Sequence, residues 1–224
     1  MNSLKLSPSD LTFLWDECPR CFYLKVVMGI NRPPVAFPKI FSRIDLLMKR
    51  LFQDKNTGDL TPELPPGRVL FGERWVESLP ITLGADRPVF LRGKFDTVVS
   101  FDDGSYGVVD FKTSEPSPKH VPFYSRQLHA YAYALEHPAP GKLSLEPITR
   151  LGLLTVEPID ITRDEHRRIA YVGDVTWLEV PKDEDAFLSF LSQITRVLSQ
   201  PEPPPSSEGC GFCQYRADAR TYGW

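Results

Sequence analysis

The spacing of apolar residues predicts two helices in the first quarter of the chain. Apolar residues recur with a helical period over residues 11–26 and again over residues 40–51, and a Pro-interrupted connection at residues 29–38 separates the two segments. Ser7 or Ser9 is a candidate cap at the start of the first helix. Residues 54–68 are polar and rich in Pro and Gly, which predicts a loop.

Strand-like patterns begin at Pro88. The segments VFLRGKFDTVVSF and YGVVDFKT flank an Asp-Asp-Gly turn and predict a β-hairpin. A helix is predicted over residues 121–137, followed by two strands, ITRLGLLTVEP and IAYVGDVTWLEV, and an amphipathic helix over residues 184–199. This order predicts an α/β or α+β fold, in which a mixed central sheet is flanked by helices.

The same pattern predicts a single domain over residues 1–224. We expect a helical N-terminal part over residues 1–55, a sheet-containing core over residues 88–200, and a Pro-rich linker with a Cys-x-x-Cys tail over residues 201–224. Since 42% of the 224 residues are hydrophobic, the chain can bury a substantial core.

Composition and charge narrow the functional classes. The sequence has no apolar run long enough for a membrane span and no N-terminal signal pattern, so we expect a cytoplasmic protein without a membrane partner. The net charge of −3 argues against a general nucleic-acid binder. Residues 1–55 nevertheless carry nine Lys and Arg against five Asp and Glu. These cations form either a phosphate-facing patch or solvated helix faces. The candidate patch residues are Lys25, Arg32, Lys39, Arg43, Lys49 and Arg50.

The predicted hairpin carries an unusual set of charges. Strand alternation places Asp110 and Lys112 on one face and Phe111 on the other. With Asp96 from the neighbouring strand, the hairpin offers two carboxylates, and Mg²⁺ is usually held by one or two carboxylates together with waters and phosphate. Lys112 is then placed to orient or deprotonate a metal-bound water, since burial can lower the pKa of a lysine. The alternative is an exposed strand face with an ordinary surface ion pair.

The length of the hairpin loop decides whether the two acids meet. A two-residue loop would place Asp96 opposite Phe111, and Asp110 would point to the wrong face. A three-residue loop over residues 102–104 places Asp96 opposite Asp110. We therefore predict an odd-length connection or a bulge in this hairpin, Gly104 at positive φ, and two carboxylates close enough to share one cation.

The order of these residues resembles the PD-(D/E)XK nucleases. The residues that carry the resemblance are Gly93, Asp96, Asp110, Lys112, Gln127 and Tyr131. The branch that it resembles most is the RecB-like exonucleases, which include the CRISPR-adaptation nucleases. The segments CPRCFYL and CGFCQYR, near the two ends, extend the resemblance over nearly the whole chain. The resemblance implies a restriction-endonuclease-like core whose N- and C-terminal segments are joined by a four-cysteine metal site.

The resemblance also implies roles for the individual residues. Asp96, Asp110 and the backbone carbonyl of Phe111 would hold Mg²⁺ or Mn²⁺. Lys112 would position the attacking water and offset the charge of the transition state. On the following helix, Gln127 would orient Lys112 or the water, and Tyr131 would pack over the site or touch phosphate.

The main departure from the family pattern concerns a histidine that this chain lacks at the expected position. RecB-like nucleases often carry a His on the helix before the strands, and here Asp45 lies at that position. Asp45 is either a further metal ligand or a solvent-facing acid on an amphipathic helix. His120, His129 and His137 lie near the glutamine helix, and we expect them at helix surfaces or ends and not as ligands.

All four cysteines fall into Cys-x-x-Cys pairs, which are Cys18 with Cys21 and Cys210 with Cys213. In an intracellular protein such pairs favour a metal over a disulfide. One shared site would join the two ends of the chain. Four thiolates suit either a [4Fe–4S] cluster or Zn²⁺. Iron–sulfur RecB-like nucleases use one N-terminal and three C-terminal cysteines. This chain has Ala219 at the last of these positions, and Cys21 supplies the fourth thiolate. The resemblance favours the iron–sulfur cluster.

The predicted function is that of a divalent-metal-dependent DNA nuclease, with exonucleolytic action on single-stranded ends, in DNA repair, recombination or CRISPR adaptation. The alternatives are a catalytically silent nucleic-acid-binding or assembly subunit and a redox or regulatory iron–sulfur protein. These residues are compatible with a DNA or an RNA substrate, with either polarity of digestion, and with one or two catalytic metal ions.

Overall fold

The structure is a computed structural model that describes residues 3–36 and 38–223, except for the side chains of Phe71 and His120. Its α-helices are α1 (Trp15–Glu17), α2 (Pro19–Met28), α3 (Lys39–Phe52), α4 (Thr57–Leu60), α5 (His120–Glu136), α6 (Glu184–Leu198) and α7 (Gly211–Thr221). Its strands are β1 (Leu4–Leu6), β2 (Gly67–Gly72), β3 (Trp75–Glu77), β4 (Val89–Lys94), β5 (Thr97–Phe101), β6 (Tyr106–Lys112), β7 (Ile148–Arg163) and β8 (Ile169–Val180).

The strands form two sheets. The larger has the order β2-β5-β6-β7-β8, with β6 and β7 parallel and the other neighbours antiparallel. The smaller has the order β1-β4-β3. The parallel β6–β7 pair is connected through α5, as a parallel pair requires a crossover. The prediction of a mixed central sheet flanked by helices is confirmed.

The first predicted helix is interrupted. Asp10–Leu14 form a π-helical turn that continues into α1, and Cys18 then adopts an extended conformation with φ −163° before α2 begins at Pro19. The interruption has a local cause, because the ring of a proline disfavours the helical conformation in the preceding residue. Ser9 is helical and its side chain makes no capping hydrogen bond, so it is not the cap.

The predicted strand VFLRGKFDTVVSF is also divided. It bends at Phe95 and Asp96, so that β4 joins the smaller sheet and β5 the larger. Asp96 therefore lies at the corner between the sheets. The sequence pattern did not predict β2 and β3, and β2 begins inside the predicted loop.

The centre of the larger sheet is buried on both faces, whereas the second half of β7 and the first half of β8 are exposed. Val108 packs in the main core with Leu128 of α5, whereas Val109 and Phe111 pack in a second core with Phe52 of α3. This alternation leaves Asp110 on the α5 side. Helix α3 is less buried than its pattern predicts, since Leu51 is 63% exposed.

Three of the six cations of the candidate basic patch are paired with carboxylates. Lys25 is paired with Asp10 at 2.7 Å and Arg32 with Glu17 at 2.6 Å. Lys49 lies among carboxylates, as described below.

None of the helices in the described part of the chain is long and apolar enough to span a membrane.

Candidate active site and cysteine cluster

The β5–β6 hairpin brings Asp96 and Asp110 together. Thr97 pairs with Val109, so the same register places Asp96 opposite Asp110. The Phe101 N–H donates to the Ser105 carbonyl at 2.8 Å, which leaves three residues in the loop. Gly104 has φ +86°. The predicted loop length, glycine conformation and register are therefore confirmed.

Asp96 lies immediately before the start of β5, beside the last residues of β6. Its Oδ2 accepts a hydrogen bond from the Phe111 N–H at 3.1 Å. In an extended strand the N–H and C=O of one residue point to the same side, so the Phe111 carbonyl also faces the Asp96 side. The charge of Asp96 contributes to raising the pKa of Asp110, so the two carboxyl groups lie close to each other. Two carboxylates and one carbonyl thus converge on one region.

Asp110 is only 3% exposed and forms an ion pair with Lys112. Burial raises the pKa of Asp110 to about 7, although the attraction of Lys112 opposes the shift. Burial alone would lower the pKa of Lys112, but the attraction of Asp110 outweighs it and the pKa is raised. The expectation that burial lowers the Lys112 pKa is therefore wrong for this ion pair. Lys112 is placed to act as a cation.

Gln127 and Tyr131 face the site from α5. The Gln127 Nε2 lies 3.3 Å from Asp110 Oδ1 and 3.4 Å from the Tyr131 hydroxyl. The Tyr131 hydroxyl donates to the Lys94 carbonyl at 2.8 Å, and burial raises its pKa. This hydrogen bond favours the packing role of Tyr131 over a phosphate contact. A Cβ on Gly93 would lie 2.7 Å from the Pro8 ring and 3.0 Å from the Tyr131 ring, which explains the glycine at this position.

Lys49 is a site residue that the sequence analysis did not identify. Its Nζ lies 2.8 Å from Asp96 Oδ1, 2.7 Å from Asp45 Oδ2 and 2.9 Å from Glu73 Oε1. Burial would lower the pKa of Lys49, but the surrounding carboxylates, first of all Asp96, raise it. Lys49 thus bridges the carboxylates of Asp45 and Asp96. Glu73 has φ +44°, a conformation that L-residues rarely adopt.

The carboxylate site fits a divalent cation. Among the described side chains, Asp110 Oδ2 has only its ion pair with Lys112, and Gln127 Oε1 is buried with no hydrogen-bond partner. Buried polar atoms without partners need explanation in a native fold, and a bound cation with its waters satisfies such oxygens. The donor set of hard oxygens is the one that Mg²⁺ and Mn²⁺ prefer.

The four cysteines lie together, as predicted. The Sγ atoms of Cys18, Cys21, Cys210 and Cys213 are all within 4.8 Å of one another. Cys18 and Cys210 are the residues at the N-terminal caps of α2 and α7, and each partner cysteine lies in the first turn of its helix. Helix N-termini favour thiolates. Burial raises the Cys18 pKa, but backbone hydrogen bonds from Ser207 and Cys21 lower it to about 6.

The distances between the sulfurs indicate the kind of group that fits. Cys18 Sγ and Cys213 Sγ are 3.8 Å apart, and Cys21 Sγ lies 3.8 Å from Cys210 Sγ and 3.6 Å from Cys213 Sγ. A tetrahedral ion with bonds of about 2.3 Å requires sulfurs about 3.8 Å apart. A [4Fe–4S] cluster holds its thiolates farther apart, since irons and sulfides lie between them. The spacing favours the zinc alternative over the iron–sulfur cluster.

His129 and His137 do not contribute to these sites, and the expectation that His129 lies at a helix surface or end is wrong, because it is buried within α5. The His129 Nδ1 lies 2.7 Å from the Ser125 carbonyl, and its Nε2 accepts from the Asp183 N–H at 2.8 Å. His137 lies 3.8 Å from Glu184. The His120 side chain is outside the described part of the chain.

A buried carboxylate (Asp110), a half-buried one (Asp96) and a lysine on adjacent strands, supported by Gln and Tyr from the following helix, are the arrangement that is typical of the PD-(D/E)XK class. The sequence model of the PD-(D/E)XK nuclease superfamily matches residues 64–217, and the chain belongs to this superfamily. No curated protein matches the chain. A solved structure described as "Crystal structure of SSO0001" is similar over 97% of this chain and 86% of its own, with 17% identity and a TM-score of 0.47. That likeness is too remote to carry an argument.

Proposed function

We propose that this protein is a divalent-metal-dependent nuclease that hydrolyses phosphodiester bonds in DNA. The observation that carries the proposal is the convergence of Asp96, Asp110 and Lys112 at the start of β5 and the end of β6, beside the Phe111 backbone. Membership in the nuclease superfamily supports a nucleic-acid substrate. The RecB-like motif order supports exonucleolytic action on single-stranded ends by a cytoplasmic, single-domain enzyme of repair, recombination or CRISPR adaptation.

In the proposed site, Asp96, Asp110 and the Phe111 carbonyl hold Mg²⁺ or Mn²⁺. The bound ion would supply a nucleophile at neutral pH and charge neutralisation at the phosphate. Lys112 remains protonated beside Asp110, so its ammonium orients the attacking water and offsets the developing charge of the transition state. Gln127 donates to Asp110 and fixes the orientation of that carboxylate.

The proposal is tested with end-labelled single-stranded DNA, duplex DNA and single-stranded RNA. Purified protein is incubated with Mn²⁺, with Mg²⁺, and with EDTA added after either metal. We expect metal-dependent cleavage of single-stranded DNA with products that shorten from an end. Binding of DNA without cleavage under every metal condition would instead support the catalytically silent subunit.

We further propose that the cysteine cluster holds one tetrahedral Zn²⁺. Three of the six sulfur–sulfur distances are 3.6–3.8 Å and all six are within 4.8 Å, which supports a single ion. The Arg32 Nη2 lies 3.4 Å from Cys210 Sγ, where its charge partly offsets four thiolates. Metal analysis and an absorbance spectrum of anaerobically purified protein test this proposal. We expect a colourless protein with about one zinc per chain. A brown protein with about four irons would establish the cluster instead.

A further inference from the structure

A cavity opens directly beside the candidate catalytic lysine. Its volume is ≈ 460 Å³, within the range of small-ligand sites. The residues that line it are Phe13, Phe41, Ser42, Asp45, Phe111, Lys112, Thr113 and Tyr124. Four of these side chains are aromatic, and they come from four separate parts of the chain. Since Lys112 belongs to both, the cavity is continuous with the proposed catalytic site.

The aromatic wall on one side of the cavity is ordered by ring contacts. The Phe13 ring packs edge-to-face on Tyr124 with centroids 5.7 Å apart, and Phe123 packs on both rings at 5.1 Å. The Lys112 Nζ lies 4.4 Å from the centroid of the Tyr124 ring. These contacts fix the ring orientations, so the wall is organised before any ligand binds.

Two rings of the cavity remain partly accessible to solvent. Phe13, before α1, is 43% exposed, and Phe41 of α3 is 41% exposed. A single exposed aromatic residue is ordinary in a protein surface. Two such rings in one cavity that also contains the half-buried ammonium of Lys112 indicate a ligand with a flat apolar part and a negative charge.

We infer that this cavity binds the base of an unpaired nucleotide next to the scissile phosphate. The inference rests on the proposed function and deepens it. With the phosphate beside Lys112, the adjoining base enters the cavity and stacks against Phe13 and Phe41. A base in a duplex is already stacked and paired, so the cavity selects single-stranded nucleic acid. Stacking accepts every base, which makes the selection independent of sequence.

The test measures binding separately from cleavage. All proteins carry Asp96→Asn, which removes a candidate metal ligand outside the cavity and prevents turnover. Fluorescence anisotropy with Mg²⁺ present then compares a single-stranded oligonucleotide with versions that carry one abasic residue at each position in turn. Phe13→Leu and Phe41→Leu remove the aromatic faces, Phe13→Trp retains one, and Tyr171→Leu changes a 65% exposed aromatic residue of β8 as the matched control.

We expect Phe13→Leu to weaken binding of the intact oligonucleotide about 5- to 150-fold, the range for loss of one stacked base. Phe13→Trp and Tyr171→Leu should bind like the parent. At one position of the oligonucleotide, loss of the base should weaken binding by the parent protein by a similar factor. The same loss should not weaken binding by Phe13→Leu any further, because both changes remove the same contact. Thermal melting confirms that the variants are folded.

Equal binding of the intact oligonucleotide by the parent, Phe13→Leu and Phe41→Leu would overturn the inference. So would a parent that binds duplex as tightly as single strands. The nuclease proposal is tested separately, by metal-dependent cleavage with the unmodified chain. Cleavage with no role for Phe13 would reject the cavity alone, whereas stacking without cleavage by the unmodified chain would reject the catalytic proposal.

Discussion

Two lysines compensate the candidate metal-binding carboxylates, with Lys112 paired to Asp110 and Lys49 paired to Asp96. The sequence identifies Lys112, because strand alternation places it on the face of Asp110. Lys49 was grouped with the surface cations of the N-terminal part. Its only local signal is the i,i+4 spacing from Asp45, which is common on solvated helices. The contacts with Asp96 and Glu73 depend on tertiary packing.

Lys49→Gln is expected to destabilise the protein by about 1–3 kcal/mol. Removing one partner of a fully buried ion pair costs about 3–5 kcal/mol, and the partial exposure of Glu73 and Asp45 reduces this value. Chemical denaturation with and without Mg²⁺ is the measurement. Mg²⁺ should stabilise Lys49→Gln more than the wild type, because the ion replaces the missing positive charge. Equal stabilisation of both proteins would contradict the assignment of this site.

The hairpin is the element that the sequence predicts most completely. The loop length follows from the requirement that Asp96 and Asp110 share a face, and Gly104 supports a three-residue loop. The bend at Phe95 and Asp96 was not predictable from alternation, because β4 and β5 continue one apolar pattern while they join different sheets. The interruption at Cys18 follows from Pro19, a signal that the helical period concealed.

Gly104→Val tests the hairpin without disturbing its packing. An added Cβ would meet no atom within 4 Å, so the cost comes from φ +86° alone. We expect a loss of about 1–2 kcal/mol in the free energy of unfolding. Gly104→Asn is the matched control and should lose less, since asparagine tolerates a left-handed conformation. Equal stability of the valine variant and the wild type would show that the loop adopts another conformation.

His129 connects α5 to the start of α6 in its neutral form. Burial lowers its pKa from the ordinary 6.5, and protonation would disrupt the hydrogen bond that its Nε2 accepts from Asp183. Its contribution to stability is therefore complete above pH 6.5 and is lost as the pH falls further. His129→Gln should reduce this pH dependence, measured by denaturation at several pH values, whereas His166→Gln at an exposed position should not. An unchanged slope in His129→Gln would contradict the assignment.

At the scale of the whole molecule, the cysteine cluster joins two segments that are far apart in sequence. The pairing of all cysteines predicts a shared site, because no cysteine is left over. The residues alone do not predict the kind of metal, since Cys-x-x-Cys spacing suits zinc and iron–sulfur alike, and the preference for an iron–sulfur cluster rested on the family resemblance. The sulfur distances depend on how α2 and α7 pack. The sequence thus predicts the ligands, and tertiary structure determines the size of the group they fit.

Cys210→Ser should destabilise the whole protein. The cluster closes a loop of 189 residues between Cys21 and Cys210. By analogy with a covalent crosslink, closing such a loop stabilises the fold by about 5 kcal/mol. For a chain of this size that corresponds to a decrease in Tm of about 10–20 °C. Calorimetry of the wild type, Cys210→Ser and the control Ser206→Ala measures the effect. A Tm for Cys210→Ser within about 2 °C of the wild type would show that the cluster does not hold the ends of the chain together.

The most direct test of the central claim is single-turnover cleavage of labelled single-stranded DNA in Mn²⁺ by the wild type, Lys112→Ala and Lys142→Ala. Lys142 is an exposed lysine outside the site and serves as the control. Removing one preorganised electrostatic group typically slows the chemical step about 100- to 1,000-fold. We expect a loss of at least this size for folded Lys112→Ala and wild-type rates for Lys142→Ala. Wild-type cleavage by folded Lys112→Ala would contradict the catalytic role of Lys112.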